Sequence, residues 1–108
     1  MNKKIEFDYN NKHYVLEYDR NSVRLMESQG FSLNELSTKP MLMIPLAFEG
    51  LFIKNHRTER KATVDEIYEH FKDKDKLLVT ISEMLSETYA TLGGDTEGQE
   101  GNIDWEVR

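Results

Sequence analysis

The sequence predicts an α+β fold: an N-terminal β-hairpin packed on a bundle of about four α-helices, followed by a flexible acidic C-terminal tail. Two observations predict it. Residues 4–18 alternate apolar and polar with period two, whereas the apolar residues from Val64 to Leu92 recur at spacings of three and four. Two strands alone are marginal in water, so the helices must cover the hairpin's apolar face.

The elements follow in chain order. Ile5, Phe7 and Tyr9 alternate with Glu6 and Asp8, and Tyr14, Leu16 and Tyr18 alternate with Val15 and Glu17. Asn10-Asn11-Lys12 supplies the turn, because asparagine tolerates left-handed backbone angles. A helix is expected from Asn21 or Ser22, either of which can cap free amides, to Gly30, with Val23, Leu25 and Met26 as its apolar stripe. Ser32 and Glu35 have the spacing of a capping box for one further turn.

Residues 41–56 are the most apolar stretch, and Met41, Leu42, Met43, Ile44, Leu46, Ala47, Phe48, Leu51, Phe52 and Ile53 lie nearly all round a helix. Such a helix is expected to be buried on every side, partly against another chain. Thr63-Val64-Asp65-Glu66 reads as a capping box that opens a helix bearing Val64, Ile67, Tyr68 and Phe71. After a polar link at 72–76, Leu77, Leu78, Ile81, Met84, Leu85, Tyr89 and Leu92 mark an amphipathic helix stopped by Gly93-Gly94.

These elements make residues 1–92 one domain and 93–108 a tail. The tail holds four of the six glycines and a net charge of -4, from five acids against Arg108. It reads as flexible, although Ile103, Trp105 and Val107 alternate with charged residues as an added strand would. Trp105, the one tryptophan, is a candidate intermolecular anchor or a residue folded back on its own domain.

Composition narrows the function. A chain of 108 residues forms one modest core and has little room for a deep enclosed pocket. Fourteen lysines and arginines against twenty acids give a net charge of -6, which opposes general affinity for nucleic acid or anionic lipid and favours a protein partner. Cysteine is absent, which removes disulfides, thiolate metal sites and thiol nucleophiles. No apolar stretch has the length of a membrane span or the position of a signal-peptide core, so an intracellular, soluble protein is expected.

No catalytic motif is found, and no cofactor is implied. Glu66 and His70, at i and i+4, are the one plausible pair of metal ligands, and a surface ion pair is the simpler reading. Lys54, Arg57, Arg60 and Lys61, against Glu59, form a local patch of +3. This 54–61 segment is a candidate contact for nucleic acid, for another protein, or for the acidic tail of a second copy.

Several segments together resemble a known family. The hairpin that runs into Asp19-Arg20-Asn21-Ser22-Val23-Arg24-Leu25-Met26-Glu27-Ser28-Gln29-Gly30-Phe31 resembles the opening of small tail assembly chaperones of long-tailed phages and prophages. The resemblance continues through Ala47-Phe48-Glu49-Gly50-Leu51-Phe52-Ile53-Lys54-Asn55-His56-Arg57, Glu66-Ile67-Tyr68, Glu83-Met84-Leu85-Ser86-Glu87-Thr88-Tyr89 and Glu100-Gly101-Asn102-Ile103-Asp104-Trp105-Glu106-Val107. It covers nearly the whole chain, and its specificity lies in the order of the segments.

What the resemblance implies is a non-enzymatic protein of the host bacterial cytoplasm. Such a protein binds the tape-measure protein while tail tube protein polymerises around it, and often self-associates. The expected client or self-association groove is the 41–53 helix, through Met41, Met43, Ile44, Ala47, Phe48, Leu51 and Phe52, with Leu25 and Met26 nearby. Phe48 is open to both readings, groove and core. Trp105 would anchor the reversibly docking tail. The competing reading is a small phage-encoded regulatory or nucleic-acid-binding adaptor that uses Lys54, Arg57, Arg60 and Lys61.

Overall fold

The structure, a computed structural model, describes residues 3–91 and 106–107. It is an α+β fold in which β1 (Ile5–Tyr9) and β2 (Lys12–Leu16) form an antiparallel hairpin, followed by helices α1 (Arg20–Ser28), α2 (Pro40–Gly50), α3 (Lys61–His70) and α4 (Lys74–Ala90). A short 3₁₀ turn, Leu33–Glu35, lies between α1 and α2.

The hairpin has the register that its alternation dictates. Ile5 faces Leu16, Phe7 faces Tyr14 and Tyr9 faces Lys12. Asn10 and Asn11 both take positive φ, 49° and 64°, the backbone of a two-residue turn whose twist matches the strands. Tyr14 and Leu16 are buried and Ile5, Phe7 and Tyr9 half-buried, while on the opposite face His13 bridges Asp8 at 2.7 Å and Glu6 at 3.2 Å.

Helix α1 starts earlier than expected. Asp19, not Asn21 or Ser22, is the cap: its carboxylate accepts from the Ser22 amide at 2.7 Å, and the Ser22 hydroxyl accepts from the Asp19 amide at 2.9 Å. Aspartate with serine three residues on closes the same reciprocal box that serine with glutamate would. The helix ends as the sequence predicts. Gly30 takes φ +106°, its amide donates to the Glu27 carbonyl, and the Phe31 amide reaches back to the Met26 carbonyl, both at 3.0 Å. Phe31 is thereby turned into the core.

The two expected glutamate capping boxes do not form, because both carboxylates have other partners. Glu35 pairs with Lys39 at 3.2 Å, and Ser32 makes no side-chain cap. Glu66 accepts from the Tyr9 hydroxyl, and α3 begins two residues before Thr63, at Lys61, so that Thr63 lies inside the helix and cannot cap it. Helix α4 likewise begins within the supposed polar link. Asp73, at φ 54° and ψ 68°, turns the chain between α3 and α4 and caps α4 by accepting from the Lys76 amide at 3.1 Å.

Helix α2 ends at Gly50, short of the expected 53, and the chain continues through tighter turns to His56. Gly50 is needed because α1 approaches closely: a Cβ there would stand 2.2 Å from the Met26 sulfur. The Ala47 carbonyl, near the end of α2, accepts instead from the buried Tyr18 hydroxyl. The segment after α2 then closes the outer edge of β2. His56 Nε2 accepts from the Val15 amide at 3.0 Å, Asn55 Nδ2 donates to the Val15 carbonyl at 3.1 Å, and the Glu17 amide donates to the Leu51 carbonyl at 3.3 Å.

The expected stop at Gly93-Gly94, Leu92 and the terminal positions Ile103 and Trp105 lie outside the described residues. Of the tail, Glu106 and Val107 are described, and both are exposed.

Two substitutions test this core. Tyr18→Phe leaves the Ala47 carbonyl buried without its donor and should cost about 1–3 kcal/mol in urea unfolding. Gly50→Ala should cost about 1–3 kcal/mol by overpacking Met26, and Gly50→Ala combined with Met26→Ala should be less destabilised than the two single losses added together.

Candidate functional site

The 41–53 segment was the expected binding surface, and the structure divides it. Met43, Ala47, Phe48, Leu51 and Phe52 are each 4% exposed or less and belong to the core, as does Met26, seated over Gly50. They recur on the inner face of α2 and its following turn, directed at the hairpin, α1 and α3. On a single chain they are core residues, although Ala47 and Phe48 also back the depressions beside α2. The outer face is different. Met41 is 89% exposed and Leu42 63%, with Pro45 also exposed and Ile44 half-buried. Leu25 is half-buried on α1.

Two prolines shape this outer face. Pro40 opens the helix at its first turn, where no amide donor is required. Pro45 lies inside it and has no N–H to return to the Met41 carbonyl.

Open depressions flank α2, and Ile44 lines both. Toward α4, Leu33, Leu36, Ile44, Ala47, Leu78 and Ile81 surround about 320 Å³. Toward α3, Pro40, Met41, Ile44, Pro45, Phe48 and Tyr68 line a groove of about 400 Å³ whose rim carries Glu49, Asp65 and Glu69. The outer face of α2 is thus one apolar ridge between two shallow troughs. Such a surface suits the side chains of another polypeptide.

The basic patch is largely engaged within the chain. Lys54 pairs with the buried Glu17 at 3.2 Å, and Lys61 pairs with Glu49 at 2.9 Å and Asp65 at 3.7 Å. Glu59, amid the patch, binds Lys12 at 2.9 Å and the Tyr14 hydroxyl at 2.8 Å. Arg57 and Arg60 are exposed, so two of the patch's four cations stand outside these pairs.

Neither reading of Glu66 and His70 describes what forms. His70 Nδ1 donates to the Glu66 main-chain carbonyl at 2.9 Å, while the Glu66 carboxylate holds Tyr9. Among the described residues no group of three or more His, Asp or Glu side chains is placed to hold a metal ion. No described helix is long and apolar enough to cross a membrane.

Composition left unremarked the polar junction behind the site. Glu17 is buried, yet Asn55 Nδ2 donates to it at 2.9 Å and Lys54 pairs with it. Burial pushes its pKa up, and those two hydrogen bonds outweigh that and hold it below the ordinary carboxylate value. Burial, then the Lys12 charge, lowers the pKa of His56, whose Nε2 must stay unprotonated to accept from Val15. Tyr14 is pushed up to about 12 by burial and by its hydrogen bond to Glu59.

Fold and surface together define a small α+β domain with an apolar helical face. The chain belongs to the DUF5055 family, a domain of unknown function, which it matches over residues 1–108. No curated protein and no solved structure matches it.

The His56 contact makes stability depend on pH with a definite sign. As pH falls, the unfolded chain protonates this histidine before the folded one does. Its contribution is complete above the ordinary histidine value of 6.5 and is lost as pH falls through that value toward the lower folded one. His13, raised by its hydrogen bonds to Asp8 and then Glu6, has the opposite slope. In a His13→Gln background, adding His56→Gln should flatten the fall in melting temperature between about pH 7.5 and 5.5. An unchanged slope would place the titration elsewhere.

Proposed function

We propose that this protein is a non-enzymatic tail assembly chaperone of a long-tailed phage or prophage, which holds the tape-measure protein in an assembly-competent state. The observation that carries the reading is the ordered resemblance along the chain, from the hairpin through 47–57 to the ending Ile103-Asp104-Trp105. The exposed α2 face supports it. Met41, Leu42 and Pro45 give a client an adaptable apolar surface, and the overall charge of -6 keeps the loaded complex soluble. Tail tube protein is the further partner on this reading, self-association accompanies the function, and the host cytoplasm is where it acts.

Co-production with the tape-measure protein of the same phage tests this directly. The client should move from the insoluble to the soluble fraction and co-elute with the chaperone. A version truncated after Leu92 reports whether Trp105 takes part. Equal aggregation of the client with and without the protein would remove the chaperone reading. Salt-sensitive binding of DNA or RNA, abolished by Arg57→Ala with Arg60→Ala, would put the regulator in its place.

A further inference from the structure

We infer that the groove between α2 and α3 takes an amphipathic helix whose apolar face is flanked by lysine or arginine. The inference rests on the chaperone reading for the source of that helix, and deepens it by naming the face and the chemistry of the client segment.

Shape and charge agree on this occupant. The groove floor is Met41, Ile44, Pro45, Phe48 and Tyr68, with a volume of about 400 Å³. A cavity of about 150 Å³ holds a benzene ring, so there is room for about two aliphatic anchors, as a helix supplies at i and i+3 or i+4. Methionine at the most exposed floor position lets the surface adapt to different anchors.

The rim selects the sign of charge. Glu49, Asp65 and Glu69 border the groove, and Lys61 is the cation that pairs with the first two. Lys74, whose ammonium lies 5.2 Å from the centre of the Tyr68 ring, is a second cation beside the groove, and three acids against two lysines still leave the rim negative. A lysine or arginine beside the client's apolar face would meet this rim.

Charge also argues against the other occupants. A second copy docked through the same patch would bring two negative rims into one two-fold interface, with no lysine excess to offset them. Anionic lipid and nucleic acid meet the same repulsion.

The test uses the full chain and two labelled peptides of about 20 residues, each with leucine at i, i+3, i+4 and i+7. One peptide carries lysine and the other glutamate at the flanking positions. Fluorescence anisotropy should show the lysine peptide binding near ~10 µM at low salt, and about tenfold more weakly when salt rises from about 50 to 300 mM. The pair Asp65→Lys and Glu69→Lys, both exposed, should cut lysine-peptide affinity at least about tenfold and raise that of the glutamate peptide. Met41→Ser, equally harmless to the fold, should weaken the lysine peptide by about fivefold.

Equal binding of both peptides, or a preference that survives charge reversal, would overturn the inference. So would sedimentation showing that Met41→Ser dissociates a dimer while peptide binding is unchanged, which would assign the face to a second copy. The outcomes separate the two proposals. If the charge-reversed protein still keeps tape-measure protein soluble, the groove is misassigned and the chaperone stands. If the charge preference and its reversal are found but no client is rescued, the groove stands and the chaperone reading falls.

Discussion

A closed circuit of five aromatic rings holds the hairpin to the helices. Phe7 stacks on Tyr14 at 5.2 Å, Tyr14 meets Phe52 edge-on at 6.0 Å, and Phe52 meets Phe48 at 5.4 Å. Phe48 then meets Phe71 at 5.6 Å, and Phe71 returns to Phe7 at 5.1 Å. Each such contact adds about 0.5–1.5 kcal/mol beyond the area it buries. The circuit joins both strands, α2, the turn after it and the end of α3. A two-stranded sheet has no independent stability, so the hairpin persists because these rings, from distant parts of the chain, cover one of its faces.

The same packing decides the fate of the sheet edges. An exposed strand edge invites another chain. Here Val15 and Glu17, on the outer side of β2, are met by Leu51, Asn55 and His56, which are in reach because Phe48 and Phe52 fix the turn after α2 against the sheet. Side chains and a turn thus replace a third strand. On the other strand, Glu6 and Asp8 place charge at the remaining edge. Strand pairing between subunits is therefore not needed to complete this sheet.

Where a residue's role depends on its chain neighbours, the sequence is legible. Alternation predicts the hairpin's faces, Asn10-Asn11 its turn, Gly30 the end of α1, and the spacing from Leu77 to Tyr89 the body of α4. Roles that depend on distant partners are hidden. Glu66 and Glu35 have capping-box spacing, but Tyr9 and Lys39 claim their carboxylates. Asp73 shows its capping role only once the α3–α4 corner forces a left-handed backbone. The candidate site follows the same division. The apolar composition of α2 flags it as a surface with a surplus, but a helix apolar all round has no periodicity to say which side faces inward. Tyr68 and Phe71 decide that by claiming Phe48.

Helix α2 is thus committed on one side and free on the other. Its inner residues close the aromatic circuit and leave α2 almost no freedom to rotate, since Gly50 must face Met26 and the Ala47 carbonyl must face Tyr18. Met41, Leu42 and Pro45 are held outward by the residues opposite them. A fold selected for stability alone would place polar groups there, because exposed apolar side chains gain nothing for the folded chain and invite association. Pro45 points the same way. It costs a hydrogen bond in the middle of a short helix, and what it provides is an exposed apolar ring beside Met41. The rigid inner face makes the outer one a pre-organised surface, so a partner that docks there need not first order the helix it binds.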